Sequence, residues 1–429
     1  MKNLKLHTPG GLSDLLPQSY QFKRAAERQF ETVFERYGYT FVSSPTLEYL
    51  AVFEGKGSIP VTEIYKLGDR NGDMLAVRPD MTPAVARLTM THKLLAGSDP
   101  FRICYIEKAF RNHAHLQGRE NEFTQAGAEL IGVASPEADA ELIALAIQGL
   151  QAAGLEKFRI DIGQVDFLPG ILAELEAALS DEERHAFMDH MIRRDYVAAE
   201  ALAVKAKAVL SGGPQMPAAI LLSDLTKLTG GVDMLRQVQF MAANPQAKEA
   251  LRHLEAVYAI LQDQGLSDHV LLDLSMTGQL DYYTGVIFKG YAKGSGSTVV
   301  DGGRYDNLLA TFNGDEAPIP AVGFGIKIEG LLEALTAQGM ILEDEATDTL
   351  LAYDKSARAV ALTTGDVMRK QGLHLENSLV IGSLEFHKAY ALRKNMKGVI
   401  YFADEDTVLL VNLETGHEQR VTVEELKGL

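Results

Sequence analysis

The chain has little that would place it in an oxidising compartment or in a membrane. Cys104 is the single cysteine among 429 residues, so an internal disulfide framework is excluded. No apolar run approaches the roughly 18 residues that a membrane helix needs, and the first residues lack the apolar core of a signal peptide. These absences predict a cytoplasmic protein without a membrane partner.

Basic charge is also scarce. Lys and Arg number 41 against 58 Asp and Glu, which gives a formal net charge of −17. Binding of nucleic acids depends on clustered Lys and Arg that neutralise phosphates, and the sequence contains no dense basic patch. The composition therefore argues against tRNA as a partner.

Metal ligands at a suitable spacing are scarce too. His113 and His115 lie two residues apart in one polar loop. A metal site would need Cys, His or carboxylate ligands at matching positions, and none accompanies them. The sequence therefore predicts neither a metal nor a cofactor.

Hydrophobic periodicity predicts an α+β fold in which a helical segment interrupts a sheet. A helix begins near Ser19 and stops at Gly38, and Asn71-Gly72 between two apolar runs predicts a hairpin over residues 63–78. Further helices are predicted after Thr82, from Ser135 to Gly154, over about 170–265 and over 327–337, and strands over 101–107, 121–131, 157–163, 269–274, 281–291 and 298–300.

The sequence predicts three regions. Residues 1–337 form the main domain, the acidic stretch 338–354 is a linker, and residues 355–429 form a small α/β domain. In that small domain, strands over 357–363, 379–381 and 399–402 alternate with helices over 366–370 and 384–394.

Polar side chains gather in three segments at predicted loop or strand-end positions. An amino acid ligand needs a carboxylate for its ammonium group and a cation for its carboxylate, and an imidazole adds a demand for paired donors and acceptors. From the residues alone, a ligand pocket and a set of solvated loop charges beside core tyrosines are both open. The segments span residues 77–82, 110–129 and 280–308, and they contain Asp80, Thr82, Arg111, Arg119, Gln125, Glu129, Tyr282, Tyr283 and Arg304.

In this order, the segments resemble class II aminoacyl-tRNA synthetases of the histidyl type, over residues 8–335. The Pro45 region is similar to motif 1, which builds the family's dimer interface, and residues 110–129 are similar to motif 2 with the histidine-pocket strand. Residues 321–325 are similar to motif 3, and the tail resembles a shortened anticodon-binding domain. The resemblance implies an antiparallel sheet flanked by helices and a self-dimer through motif 1.

Two positions depart from active synthetases. Gly278 stands four residues before Tyr282, where the synthetases have an arginine that offsets charge on the ATP phosphates. Gly330 stands where motif 3 has an arginine that stacks on adenine. Because the loss of one preorganised cation costs about 10²–10³ in rate, adenylate formation is not expected.

With Asp80-Met81-Thr82, these departures resemble the synthetase-like regulatory subunits of ATP phosphoribosyltransferase. That resemblance implies a chain without catalytic residues, which assembles with the short catalytic subunit and is required for its activity and for feedback by L-histidine. An active histidyl-tRNA synthetase is the alternative, and a stand-alone histidine sensor or tRNA-binding factor is a third.

The resemblance also implies roles for the polar residues. Asp80 lies near the ammonium group of bound histidine, and Glu129 lies near its imidazole. Thr82, Arg111, Gln125, Tyr282 and Tyr283 complete the histidine site, while Arg119 and Arg304 are candidate anion-binding residues.

Overall fold

The computed structural model describes residues 4–55, 59–92, 94, 100–113, 120–210, 212–278, 282–312, 314, 317–340 and 349–427. The chain divides into two compact units, Met1–Leu342 and Glu343–Leu429. In the described ranges, no helix combines the length and the apolar character that crossing a membrane requires.

The first unit is built on one large sheet that is mainly antiparallel. Its strands, together with those of a small separate sheet, are β1 (Thr40–Phe41), β2 (Leu47–Tyr49), β3 (Lys66–Gly68), β4 (Met74–Val77), β5 (Phe101–Phe110), β6 (Glu122–Ile131), β7 (Phe158–Gln164), β8 (Thr229–Gly230), β9 (Val270–Asp273), β10 (Val286–Ala292), β11 (Val300–Arg304) and β12 (Ala321–Lys327). The described strands of the large sheet follow the order β1-β5-β6-β12-β11-β10-β7-β9-β8, and the small sheet follows β2-β4-β3. Only the β1–β5 and β7–β9 pairs among them are parallel.

Helices surround this sheet and fill the long connection between β7 and β9. They are α1 (Pro17–Arg36), α2 (Met81–Thr91), α3 (Pro136–Ala152), α4 (Phe167–Ala173), α5 (Asp181–Ile192), α6 (Tyr196–Val209), α7 (Met216–Asp224), α8 (Val232–Met241), α9 (Pro245–Asp263) and α10 (Ile328–Ala337). The predicted helical segment over residues 170–265 therefore contains α5–α9 and most of α4, with the short strand β8 as an addition.

The central strand β6 separates the core from the polar residues because successive side chains of a strand point to opposite faces. Ala126 and Ala128 pack in the main core with Phe34 of α1, Ile143 of α3 and Leu331 of α10. The other face of β6 carries Phe123, Gln125, Gly127 and Glu129. The alternation predicted for this strand is confirmed, and it places Gln125 and Glu129 together on the face away from the core helices.

The second unit has its own sheet, in which the described strands follow the order β14-β13-β15-β16-β17. Its elements are β13 (Thr349–Tyr353), α11 (Arg358–Lys370), β14 (Leu375–Asn377), α12 (Leu384–Arg393), β15 (Gly398–Phe402), β16 (Thr407–Asn412), β17 (Glu418–Thr422) and α13 (Val423–Lys427). The predicted helix over 384–394 and strand over 399–402 are confirmed.

Several predicted elements are wrong or misplaced. Residues 358–363 begin α11 instead of forming a strand, because Ala361, Thr364, Gly365 and Met368 are buried at helical spacing. The apolar run 379–381 is exposed, and the strand lies at β14. The linker predicted over 338–354 is too long, since β13 lies inside it. Strand β10 begins at Val286, so residues 282–285 of the predicted strand lie outside it, and β11 continues to Arg304.

A largely buried ion pair, in which the Lys23 side chain is 8% and the Glu329 side chain 19% exposed, fastens α1 to the sheet of the first unit. Lys23 Nζ lies 2.5 Å from Glu329 Oε1 and donates to Thr124 Oγ1 at the same distance. The other oxygen of Glu329 accepts the backbone N–H of Thr124 at 2.7 Å. The pair therefore joins α1, β6 and α10 at one point of the core face.

We predict that Lys23→Met lowers the free energy of unfolding by about 2 kcal/mol or more, because it leaves the Glu329 carboxylate without its cation. Urea denaturation of the purified chain measures the loss. The matched control is Lys205→Met, which removes the partner of Glu183 at a more exposed site. That variant should cost less than about 1 kcal/mol, and equal losses in the two variants would contradict the prediction.

Candidate functional site

Glu129 is the centre of a hydrogen-bonded group on the polar face of the large sheet. Its side chain is 0% exposed. Oε1 accepts from the hydroxyls of Thr82 at 2.9 Å and Tyr105 at 3.0 Å, and Oε2 accepts from the Tyr305 hydroxyl at 2.5 Å. Three hydroxyls from α2, β5 and the residue after β11 therefore hold one carboxylate.

The first turn of α2 brings Asp80 to the same place. Asp80 is the N-cap residue of α2, and its carboxylate accepts the backbone N–H of Met81 at 2.8 Å. The same N–H donates to Gln125 Oε1 at 3.2 Å, and Gln125 Nε2 donates to the Tyr105 hydroxyl at 3.5 Å. The cap thus ties the start of α2 to the side chains of β6.

Glycines of the neighbouring strand β12 make room for these side chains. Gly323 pairs with Glu129 and Gly325 is two residues further along β12. A Cβ atom at Gly323 would lie 1.5 Å from Glu129 Oε2, and one at Gly325 would lie 2.2 Å from Gln125 Nε2. Any larger residue at Gly323 would displace the carboxylate.

Tyr282 and Tyr283 close one side of the group. Their ring centroids lie 4.8 Å apart, and the Tyr282 ring meets the Tyr305 ring edge-on at 6.1 Å. The Tyr283 ring lies against Gly303 of β11, where a Cβ atom would come within 2.7 Å of it. We call Asp80, Thr82, Tyr105, Gln125, Glu129, Tyr282, Tyr283 and Tyr305 the Glu129 cluster.

Burial controls the electrostatics of the Glu129 cluster. Loss of water raises the pKa of Glu129 to about 8, although the three hydroxyl donors act in the opposite direction. Burial likewise raises the pKa of Tyr282 and of Tyr283, and the negative charge of Asp80 adds to both shifts. The cluster therefore offers a carboxyl group that gains or loses its proton near neutral pH beside hydroxyls that stay protonated.

The three arginines of the sequence prediction have different surroundings. Arg111 lies at the edge of the cluster: its Nε donates to Pro79 O at 3.2 Å, and its guanidinium lies 5.8 Å from the Phe123 ring centroid. Arg119 lies outside the described residues. Arg304 is buried and its guanidinium pairs with Asp139 at 2.7 Å and Asp306 at 3.1 Å. Two carboxylates already neutralise Arg304, so the structure does not present it as an anion site.

The positions that depart from active synthetases carry no side chain into the cluster. Gly330 is the third residue of α10. A Cβ atom there would have Ser295 Oγ as its nearest neighbour, at 3.8 Å. Gly278 is described, whereas Gln279, Leu280 and Asp281 between it and Tyr282 lie outside the described residues. His113 lies 3.8 Å from Glu63, and His115 is outside the described residues.

Tyr105 and Tyr305, which donate to Glu129, are not among the site residues predicted from the sequence. Tyr105 lies on the strand beside β6, directly opposite Gly127, and Tyr305 follows the Gly302-Gly303-Arg304 run. The hydroxyls could have been suspected from two signals: a tyrosine inside a buried apolar strand, and the alternating glycines of residues 323–325 on the adjacent strand.

Comparisons with known proteins show the family to which the chain belongs. The family model of histidyl-tRNA synthetase matches residues 11–331. The ATP phosphoribosyltransferase regulatory subunit of Acetivibrio thermocellus is 37% identical over 99% of both chains, and that of Ruminiclostridium cellulolyticum is 35% identical over 99% of both. The chain belongs to the family of ATP phosphoribosyltransferase regulatory subunits.

Solved structures show how this family folds. A Bacillus halodurans structure, described as an ATP phosphoribosyltransferase regulatory subunit/histidyl-tRNA synthetase, has a TM-score of 0.78 at 28% identity and covers 93% of this chain and 98% of that one. Histidyl-tRNA synthetase from Nostoc sp. PCC 7120 has a TM-score of 0.77 at 21% identity, covers 99% of this chain and 98% of that one, and supports the fold alone. The predicted class II synthetase-like α+β fold of this regulatory-subunit family member is confirmed.

We predict that Glu129 makes the stability of the chain depend on pH. Its pKa is about 8 in the folded chain against a usual 4.5, so between these values only the folded chain keeps the proton. Wild-type stability should therefore fall as pH rises from about 4.5 to about 8, by up to about 1.4 kcal/mol per pH unit, relative to Glu129→Gln. Urea denaturation at several pH values measures this difference.

Glu141→Gln is the control for that series. Burial raises the pKa of Glu141, but hydrogen bonds from Arg102 and Tyr39 outweigh it and the net shift is downward. Its contribution is present above its usual pKa and is lost only as pH falls, so its difference from wild type should be flat between about pH 6 and 8. A flat difference for Glu129→Gln as well would contradict the prediction.

Proposed function

We propose that this chain is the non-catalytic regulatory subunit of a cytoplasmic ATP phosphoribosyltransferase, the enzyme of the first step of histidine biosynthesis. It acts with a short catalytic subunit and binds L-histidine as the feedback effector in the Glu129 cluster. The proposal rests on one observation. The side chains of the Glu129 cluster are assembled and hydrogen-bonded, while glycine, at positions 278 and 330, stands where active synthetases have the two arginines that contact ATP.

The Glu129 cluster supplies the groups that a histidine ligand requires. In the proposal, Asp80 at the start of α2 receives the ammonium group, and Arg111 at the edge of the cluster receives the carboxylate. Glu129 accepts three hydrogen bonds, and a carboxylate has about four acceptor positions, so it can still pair with an imidazole nitrogen. Thr82, Gln125, Tyr282 and Tyr283 complete the set by positioning Glu129 and enclosing the ring.

The absence of catalysis follows from charge. Adenylate formation places negative charge on the ATP phosphates as the reaction proceeds, and fixed cations supply the compensation. Glycine at positions 278 and 330 supplies none. The net charge of −17 also disfavours a polyanion such as tRNA as a partner.

Self-association through the motif 1 region is part of the proposal. In the small sheet, Leu47 and Tyr49 of β2 share one face with Leu67 of β3, as the strand register shows. These three side chains are 46%, 58% and 45% exposed. A row of large exposed apolar side chains on one sheet face supports burial against a second copy of the chain.

An active histidyl-tRNA synthetase is the second candidate. It is favoured by the family model, which matches residues 11–331. The two functions differ in a direct assay: the purified chain should show no ATP–pyrophosphate exchange that depends on histidine, whereas a synthetase would exchange readily and would charge tRNA.

We predict that adding this chain to a short catalytic subunit raises the rate of phosphoribosyl transfer at least about 10-fold, and that histidine suppresses the stimulated rate. Glu129→Gln should keep the stimulation but weaken the histidine inhibition, because the effector loses a charge-assisted hydrogen bond of about 1.5–3 kcal/mol. Steady-state rates over a series of histidine concentrations test both statements. No stimulation in a mixture that co-purifies, or robust exchange by the chain alone, would refute the proposal.

A pair of glycine substitutions tests the location of the histidine site. Gly323→Ala should abolish histidine binding because the new methyl group would overlap Glu129 Oε2. Gly330→Ala is the matched control: the methyl group has space, and alanine in a helix is favoured over glycine by about 0.5–1 kcal/mol. Isothermal titration with histidine should show loss of binding only for Gly323→Ala, and unchanged binding in that variant would place the site elsewhere.

A further inference from the structure

A polar cleft lies in the first unit, where α9 passes the end of β7. It has a volume of about 290 Å³. The proposed histidine site does not use it. The residues on which the argument depends are Gln164, Asp166, Gln246, His253, Thr284 and Arg304.

The floor of the cleft is an ion cluster around Asp139, which is 0% exposed. Arg304 Nη2 lies 2.7 Å from Asp139 Oδ1, and His253 Nε2 lies 2.6 Å from Asp139 Oδ2. Arg304 Nη1 also pairs with Asp306 at 3.1 Å and donates to Val133 O at 3.0 Å. The guanidinium of Arg304 is therefore already paired with groups of the protein itself.

Asp166 lies in the wall of the cleft, and its carboxylate is not paired with a cation of the described residues. Asp166 accepts from Gln246 Nε2 at 3.1 Å and from Gln164 Nε2 at 3.4 Å, and both donors are neutral amides. Among the described residues, no Lys, Arg or His forms an ion pair with it. Two amide donors leave part of its capacity of about four acceptor positions unused.

The charges of the cleft therefore favour a cation. Asp139, Asp166, Asp306 and Glu249 contribute four negative charges, while Arg304 and Arg252, the partner of Glu249 at 2.7 Å, contribute two permanent positive charges. Protonation of His253 would still leave the sum negative. An anion would meet only a guanidinium that two carboxylates already hold.

We propose that this cleft binds a guanidinium or primary ammonium group, which donates hydrogen bonds to Asp166. A cation of this kind can come from a free small molecule or from the side chain of a basic residue of a partner protein. The inference goes beyond the proposed function and does not depend on it, because it concerns different side chains.

The cleft and the Glu129 cluster border the same short segment of backbone. Thr284 faces the cleft side, where its N–H donates to Arg304 O at 2.8 Å and its hydroxyl oxygen accepts the N–H of Asp306 at 2.9 Å. Tyr283, the residue before it, faces the cluster. Gly285 follows, and a Cβ atom there would lie 2.9 Å from Arg304 Cδ, so the segment fits closely against the ion cluster.

The test is a titration of the full chain with methylguanidinium and methylammonium chloride, observed through the ring resonances of His253. Tetramethylammonium at equal ionic strength is the control, since it has the charge but no N–H donor. We expect a saturable shift with the two donors only. Asp166→Asn should weaken that binding about 10-fold or more, whereas Asp263→Asn, which changes an exposed carboxylate at the end of α9, should leave it unchanged.

Three results would overturn the proposal: no saturable shift, an equal response in Asp166→Asn and wild type, or a response to inorganic phosphate in place of the cations. Gln246→Ala, which removes one amide that orients Asp166, provides a second variant and should weaken binding less.

Assembly with a short catalytic subunit then distinguishes the two possible sources of the cation. If Asp166→Asn assembles less well with that subunit and the control Asp263→Asn does not, the cation is a basic side chain of the partner. If the assembly of Asp166→Asn is unchanged, the cation is a free small molecule. Since the titration needs only this chain, its failure leaves the proposed function untouched.

Discussion

Burial of the Glu129 carboxylate is the constraint on which the polar face of this molecule depends. A carboxylate removed from water is costly unless hydrogen bonds replace the lost solvation. Here the replacements come from Thr82, Tyr105 and Tyr305, which lie on three separate parts of the chain. The start of α2, strand β5 and the end of β11 must therefore reach β6 together, and the geometry of the Glu129 cluster is a consequence of the fold.

The same sheet serves two purposes because its side chains alternate. Lys23 and Glu329 stabilise the helix side at Thr124, while the next residue along β6, Gln125, belongs to the cluster. The glycines of β12 keep this division, since side chains at Gly323 and Gly325 would fill the space of Glu129 and Gln125. Gly278 and Gly330 lie outside this hydrogen-bonded set, so glycine at these two positions leaves the hydrogen bonds of the Glu129 cluster intact.

Local sequence patterns were sufficient to predict much of the fold. The alternation of β6, the Asn71-Gly72 hairpin and the capped helices α1 and α3 depend on neighbours in sequence, and the structure confirms them. The partners of Glu129 could not be predicted this way, because which strand lies opposite another depends on long-range pairing. The ion pair of Arg304 with Asp139 could not be predicted for the same reason, because the two residues are far apart in sequence. In the second unit, residues 379–381 are apolar, as in a buried strand, but they are exposed, and the strand predicted there was wrong.

Proton position links ligand binding to the conformation of the cluster. With a pKa of about 8, Glu129 is largely protonated near neutral pH, so its carboxyl group offers an O–H donor beside its acceptor positions. A neutral imidazole nitrogen can accept a hydrogen bond from that O–H or take its proton. In the proposed function, histidine regulates only if two states of the complex bind it unequally. Since the three donors come from α2, β5 and the end of β11, a shift of any of these elements between the states changes the hydrogen bonds available to Glu129 and supplies that inequality.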